Sequence, residues 1–304
     1  MKARVNSITR LRVNSDGTGV RDVVFFYGCP LNCVWCCNPE TRYGSNYEII
    51  TEDELFQLIS RDLIYFQNTN GGITLSGGEP LLHSDFILAF LKKYGTHFNT
   101  NLETSLCADY DMVQRIIPYI NEWYIDFKKY DELLHRELTG KSNEAILNNI
   151  RKLSTGVCTD KIIITYPVIT SLNDSPADID GIIQFMTSCS LHKIKIHSYR
   201  KYTEKKYQTL GLAHTSFPRL PDSTVAEVYK RFVKSGFTVI VHDTKIEKQK
   251  CEILKNIRRT VCEENSLPIL ISECNYIGRC AGTCPQCEYE LEQINSLMLK
   301  ENSI

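Results

Sequence analysis

From Arg21 to about Asp243, short runs of β-branched and aromatic residues alternate with stretches whose apolar positions recur every three or four residues. The first pattern has the period of strands and the second that of amphipathic helices. Strands are predicted over 22–28, 72–76, 99–104, 122–128, 161–169, 193–199 and 237–243. One helix is predicted to start at Thr51, because Thr51 and Glu54 have capping-box spacing ahead of Leu55, Leu58, Ile59 and Leu63. Others are predicted over 85–93, 112–120, 143–153, 177–186 and 223–234. Strands separated by single helices make parallel βαβ units, with functional residues at the C-terminal edge of the sheet. The expected fold is α/β, a partial (β/α)6-type TIM-like barrel with an open side where a large substrate could enter.

After Asp243 the pattern changes, which sets the expected domains at 1–243 for the barrel and 244–304 for an extension. Residues 245–255 are charged, 262–287 are rich in cysteine and glycine with little periodicity, and 288–300 read as a short closing helix. The extension is expected to close part of the barrel mouth.

Composition narrows the partners. With 35 basic and 36 acidic residues, no charge excess argues for nucleic acid or an anionic membrane surface. No apolar run approaches the roughly 20 residues that span a bilayer, and the N-terminus lacks an apolar signal core, so a cytoplasmic protein is expected. Thirteen cysteines in such a chain point to metal or redox chemistry rather than a disulfide framework. They are uneven: four lie at 29–37 and six at 251–287. Cys107, Cys158 and Cys189 read as small buried apolar residues.

Cys29, Cys33 and Cys36 form a C-x3-C-x2-C triplet directly after the strand-like Val23–Tyr27. Three thiolates can hold three irons of a cubane and leave the fourth open to a small molecule. A second motif, Ser76-Gly77-Gly78-Glu79-Pro80, follows another predicted strand. Its glycines permit close backbone approach to a ligand, and Glu79 can accept hydrogen bonds from an ammonium group. In the tail, Cys274, Cys280, Cys284 and Cys287 supply four thiols within 14 residues, enough to close a metal site, with Cys262 an alternative to Cys274. Thiolate spacing leaves a second 4Fe-4S cluster and structural zinc both open, the cluster being preferred. Cys251 stands alone in the charged segment, either a functional free thiol or a half-buried residue without chemistry.

The triplet and the Gly-Gly-Glu turn resemble the radical S-adenosylmethionine (SAM) superfamily. Asp16-Gly17-Thr18-Gly19-Val20-Arg21, Asn38-Pro39-Glu40, Glu103-Thr104-Ser105, Asp126-Phe127-Lys128, Leu138-Thr139-Gly140 and Lys206-Tyr207-Gln208-Thr209-Leu210-Gly211 look like its glycyl-radical-enzyme activating branch. The resemblance covers about residues 6–211. It implies that the open iron of a 4Fe-4S cluster chelates SAM, whose reductive cleavage yields a 5'-deoxyadenosyl radical. It further implies that Gly77, Gly78 and Glu79 hold the SAM amino group, and that Trp35 packs near the adenine. Glu103 would serve the ribose or a bound cation, and Asp126 and Lys128 would line the pocket.

The chain departs from the branch at Cys37, where a histidine is usual, and at Ile164-Thr165-Tyr166-Pro167, where an arginine for the SAM carboxylate is missing. Arg200 is the candidate replacement, since a guanidinium can engage a carboxylate bidentately. The implied activity is radical SAM oxidoreductase chemistry that activates a glycyl radical enzyme, supplied by a flavodoxin- or ferredoxin-type reductant. The competing reading is an epimerase or dehydrogenase of a peptide or aminoglycoside-like molecule, using Cys251 as hydrogen donor or the tail cluster as electron acceptor.

Overall fold

The computed structural model describes residues 1–157, 159–199, 203–218, 220–240, 244–273 and 281–301. One sheet runs β3-β1-β2-β4-β5-β6-β7-β8-β9. Strand β1 (Lys2–Val13) pairs antiparallel with β2 (Val20–Phe26) and with β3 (Glu48–Thr51). From β2 onward all neighbours are parallel: β4 (Gly72–Gly77), β5 (Asn99–Thr104), β6 (Glu122–Asp126), β7 (Ile162–Val168), β8 (Lys193–Ser198) and β9 (Thr238–Ile240). Helices α1 (Glu40–Tyr43), α2 (Glu52–Ser60) and α3 (Leu63–Gln67) lie between β2 and β4, apart from β3. The crossovers that follow carry α4 (Ser84–Tyr94), α5 (Tyr110–Ile116), α6 (Glu132–Thr139), α7 (Glu144–Gly156), α8 (Pro176–Ser188), α9 (Glu204–Thr209) and α10 (Asp222–Lys234). Among the described residues β3 and β9 are the free ends of the sheet, so the α/β barrel is partial, as its strand pattern predicts. No helix among the described residues is long and apolar enough to cross a membrane.

The period-2 alternation sorts each parallel strand into two faces. Outward residues such as Val24, Phe26, Leu75, Leu102, Trp123 and Ile164 are buried beneath the helices in one core, each apolar side chain contributing about 1.5–3 kcal/mol on full burial. The helix caps agree with the sequence: Thr51 Oγ1 accepts from the Glu54 amide at 3.3 Å, while Glu54 Oε2 accepts from the Thr51 amide at 2.7 Å. Inward residues are polar, among them Arg21, Thr74 and Lys195, all buried. Into this interior folds the β1–β2 loop. Thr74 Oγ1 donates to the Asp16 carbonyl at 2.7 Å, and Lys195 Nζ donates to the Ser15 carbonyl. Gly17 has φ +125°, and a Cβ there would lie 2.1 Å from Asn101 Nδ2, so both conformation and space demand glycine.

Several elements depart from the sequence pattern, among them β3, α6 and α9, which it does not predict. Strand β1 is not predicted, because register shifts between Val5/Ser7 and Thr9/Arg12 interrupt its alternation: Ala3 and Val5 are buried, then Leu11 and Val13. Residues 245–255, read from the sequence only as charged, belong to a 21-residue helix, α11 (Thr244–Glu264). Its inner face contains Lys255 and Arg258 as well as Leu254, Val261 and Cys262, and these buried cations mask the apolar period.

Helix α12 (Pro285–Glu301) follows, and the two helices share an apolar cluster with Leu11, Val13, Val20, Ile64 and Tyr65. Val13 pairs with Val20 at the start of β2, roughly 20 Å along the strand from its C-terminal end. The described tail therefore packs outside the barrel at the opposite edge rather than over the mouth. Arg10 fastens it, donating to Asp62 at 2.6 and 2.7 Å and to Glu288 at 2.8 Å.

Candidate functional site

Parallel pairing of β2 with β4 places the cysteine loop and the Gly-Gly-Glu turn side by side. The Gly78 amide donates to Phe26 O at 3.0 Å and the Glu79 amide to Gly28 O at 2.8 Å. A Cβ on Gly77 would lie 2.3 Å from the Phe26 backbone, and one on Gly78 2.2 Å from Gly28 O and 3.1 Å from Cys29 Cβ. The two glycines thus let the turn seat against the root of the cysteine loop. The far side of that loop is held by α6: Asn32 N donates to Thr139 O at 2.7 Å and Val34 N to Leu138 O at 3.0 Å.

Cys29, Cys33 and Cys36 are partly exposed free thiols. Burial of their sulfurs pushes Cys29 and Cys33 up to about 12, and Cys36 in the same direction. Cys36 and Cys29 add to the rise at Cys33, whereas Lys128 opposes it. These thiols share one space and lack the charge that would ionise them alone; a cation of high charge is what converts such a set to thiolates. Among the described residues no three His, Cys, Asp or Glu side chains crowd together as for a single metal ion. A cubane makes a different demand, one thiolate per iron, and the three spaced thiols beside a backbone turn suit it.

Lys128 forms an ion pair with Asp126 at the end of β6, and Thr165 Oγ1 donates to the other Asp126 oxygen at 3.1 Å. Burial opposes the Lys128 charge, but Asp126, Cys33 and Cys36 raise its pKa overall. Glu103, at the C-terminal end of β5, accepts from Ser76 Oγ at 2.6 Å and is raised by burial and by Asp16. The structure thus brings Glu103, Asp126 and Lys128 to the strand edge that carries the triplet.

Glu79 differs from its expected position. It is fully buried, accepting from Thr104 Oγ1 and Ser105 Oγ at 2.5 Å, Ser105 N at 2.9 Å and Leu81 N at 3.2 Å. Its oxygens are occupied by the next strand, so it braces the turn rather than presenting a carboxylate to a ligand. Trp35 is 3% exposed and packs with Ile169, Tyr199 and Phe217. Cys37 is exposed, with its thiol toward Trp35 O at 3.9 Å.

Cys251 does not join these groups. It lies on α11, whose next turns carry Leu254 and Val261 into the outer cluster. Cys262 is buried there too. Cys284 and Cys287 lie at the start of α12, where Arg258 donates to Cys287 Sγ at 3.5 Å and to Tyr65 Oη at 2.7 Å, and pairs with Glu290 at 3.0 Å. Arg200, Cys274, Cys280 and Cys158 lie outside the described residues. Lys195, buried inside the barrel, was missed; its signal is the alternation Lys193-Ile194-Lys195-Ile196-His197, which puts polar groups on one face of a strand.

The chain is thus an α/β protein whose partial parallel barrel carries three cysteines and a glycine turn at its C-terminal edge. Residues 23–186, more than half of the chain, match the Radical SAM superfamily, and the chain belongs to it. It is 29% identical over 263 residues to the indoleacetate decarboxylase activating enzyme of Tractidigestivibacter scatoligenes, covering 64% of this chain and 83% of that one. It is 28% identical over 295 residues to the 4-hydroxyphenylacetate decarboxylase activating enzyme of Clostridioides difficile (strain CD196), covering 75% and 93%. In fold it is similar to a radical SAM methyltransferase from Sphaerobacter thermophilus, with TM-score 0.57, 14% identity, and 77% and 76% of the two chains covered.

Proposed function

We propose that this chain activates a glycyl radical enzyme, holding a 4Fe-4S cluster on Cys29, Cys33 and Cys36 with SAM at the open iron. The observation that carries this reading is the seating of the Gly77-Gly78 turn against the root of the cysteine loop, which makes one site from β2 and β4. The names of the relatives support the substrate class. When bound, the cluster and SAM together supply a 5'-deoxyadenosyl radical that abstracts hydrogen from a glycine Cα of the partner.

The protein's own share is binding and enclosure. Backbone carbonyls of the Gly77-Gly78 turn are assigned to the SAM ammonium, now that Glu79 is engaged elsewhere. Lys128, kept protonated by Asp126, supplies a cation for the SAM carboxylate, with Arg200 a second candidate. Glu103, held at the end of β5 by Ser76, would accept from the ribose hydroxyls in this assignment. The β1–β2 loop closes the interior at the other end and limits solvent that would quench a radical. The electron donor is proposed to be a flavodoxin or ferredoxin.

The tail cysteines Cys274, Cys280, Cys284 and Cys287 are proposed to hold a second 4Fe-4S cluster, on the strength of their spacing. Standing with α12, it would be remote from the strand edge where SAM is assigned. Cys251, on α11, lends no support to an epimerase with that residue as donor.

The test is anaerobic reconstitution with SAM, dithionite and a glycyl radical enzyme encoded nearby. Formation of 5'-deoxyadenosine with a persistent glycyl EPR signal on the partner is expected. Production of 5'-deoxyadenosine with a mass-shifted small molecule or peptide, and no partner radical, would replace the activase reading.

A further inference from the structure

The cysteine loop is braced on a second side by α9, and the contact is charged. Lys206 Nζ donates to Cys37 O at 2.9 Å, to Asn38 Oδ1 at 3.1 Å and to Glu40 Oε1 at 2.5 Å. An ammonium has three donors, and all three are spent on the residues that directly follow Cys36. The neighbouring Tyr207 donates its hydroxyl to Cys36 O at 3.3 Å. Tyr207 packs on His214 with ring centroids 4.6 Å apart, and His214 Nε2 lies 3.1 Å from Tyr199 Oη, in the cluster that buries Trp35. Glu40 has one oxygen on Lys206, while the other is buried without a partner. A cation and an incompletely balanced carboxylate therefore stand at the same short stretch of loop.

We propose that Lys206 is a positioning residue that sets the reduction potential of the cluster bound by Cys29, Cys33 and Cys36, with Glu40 as its opposing charge. The proposal rests on the assignment of a cluster to that triplet. Reduction adds one negative charge to a cluster already surrounded by thiolates. A fixed cation next to the Cys36–Cys37 carbonyls stabilises the reduced form, and the nearby carboxylate destabilises it. Potentials of iron–sulfur centres respond to such charge and hydrogen-bond changes in the surrounding shell. The site is one-third exposed at Lys206, so solvent screens the effect but does not remove it. Because the two side chains carry opposite charge, neutralising them one at a time moves the potential in opposite directions. A merely structural anchor has no reason to do so.

The experiment uses the full chain, reconstituted anaerobically as wild type, Lys206→Met, Lys206→Arg and Glu40→Gln. Iron and sulfide are counted, and the cluster is titrated against redox dyes by EPR. With iron content held, Lys206→Met is expected to lower the reduced-to-oxidised ratio at a fixed poise about tenfold, about 59 mV for a one-electron couple. Glu40→Gln is expected to raise it, and Lys206→Arg to stay near wild type. Equal potentials in all four proteins, or shifts of the same sign in Lys206→Met and Glu40→Gln, would overturn the proposal. If Lys206→Met fails to assemble, Glu40→Gln decides alone: a raised potential supports the proposal and an unchanged one rejects it. A wild-type triplet that takes up no iron would instead overturn the underlying cluster assignment.

Discussion

The cysteine loop at the barrel mouth and the cysteine-bearing helices of the tail use the same side chain in contrasting surroundings. At the mouth, burial pushes Cys29 and Cys33 up to about 12, and Lys128 is the cation that partly offsets this. The backbone there is arranged by turns and loop contacts from α6, α9 and β4. In the tail, Cys284 sits at the first turn of α12, where backbone N–H groups of Cys287 and Gln286 lower its pKa. Cys287 lies against the buried Arg258, which itself pairs with Glu290 and Tyr65. Burial thus disfavours ionisation of the mouth thiols and also pushes Cys287 up to about 11, so Cys284 is the exception, and the described tail is fastened by the Arg10–Glu288 ion pair. The difference is one of setting: loop and turn backbone at the mouth, the start of a helix in the tail.

The largest effect expected from breaking this contrast is at the mouth. Cys29→Ala, Cys33→Ala and Cys36→Ala should each reduce 5'-deoxyadenosine formation to background, because two thiolates do not hold a site-differentiated cubane securely. Activity of any one at the wild-type level would remove the cluster from this triplet.

In the tail, Arg258→Ala leaves Glu290 buried without its partner and should cost about 3–5 kcal/mol in stability, read from denaturant unfolding. Below its unfolding transition the same variant should still cleave SAM within about twofold of wild type, since Arg258 touches no residue of the mouth. A loss of cleavage equal to that of the cysteine variants would mean the two regions work as one. Glu79→Ala belongs to the mouth yet should behave like a packing mutation. Stranding the Thr104 and Ser105 donors costs about 1–3 kcal/mol for each unsatisfied group. Wild-type stability in that variant would show that Glu79 is free to serve a ligand.

Thiol reactivity sharpens the contrast without mutation. The thiolate is the reactive form, and at pH 8 a thiol raised to about 12 is ionised to only about one part in ten thousand. In metal-free protein, iodoacetamide mapped by mass spectrometry should modify Cys284 at least about tenfold faster than Cys33, with Cys33 gaining as pH rises. Equal rates would erase the electrostatic distinction. The smallest effect is expected at α2: Thr51→Ala should lose about 1 kcal/mol with the capping box and leave both thiol groups unchanged.

The triplet, the glycine turn and the parallel strands were legible because each signal is local: ligand spacing, a Gly-Gly step and a period of two. The partners of Glu79 are not legible, for the opposite reason. A glutamate after two glycines looks free in the sequence, and its partners, Thr104 and Ser105, arrive from the adjacent strand 25 and 26 positions later. Strand β1 was illegible because its bulges break the alternation, and α11 because Lys255 and Arg258 occupy buried positions.

The sequence by itself singled out the cysteines as candidate ligands, most of the parallel strands and several of the helices between them, since period, spacing and connection length are properties of neighbours along the chain. The tertiary structure alone decided which groups meet. It sent the described tail to the outer face near Val20 rather than to the mouth, because Arg10 meets Glu288 there, Arg258 meets the Tyr65 hydroxyl and α11 finds an apolar surface. It also set Lys206 against Cys37 from 169 positions away, a contact made by the return of β8 to the edge where β2 ends. Burial and charge pairing are paid for between segments distant in sequence, and only the folded chain specifies those pairs.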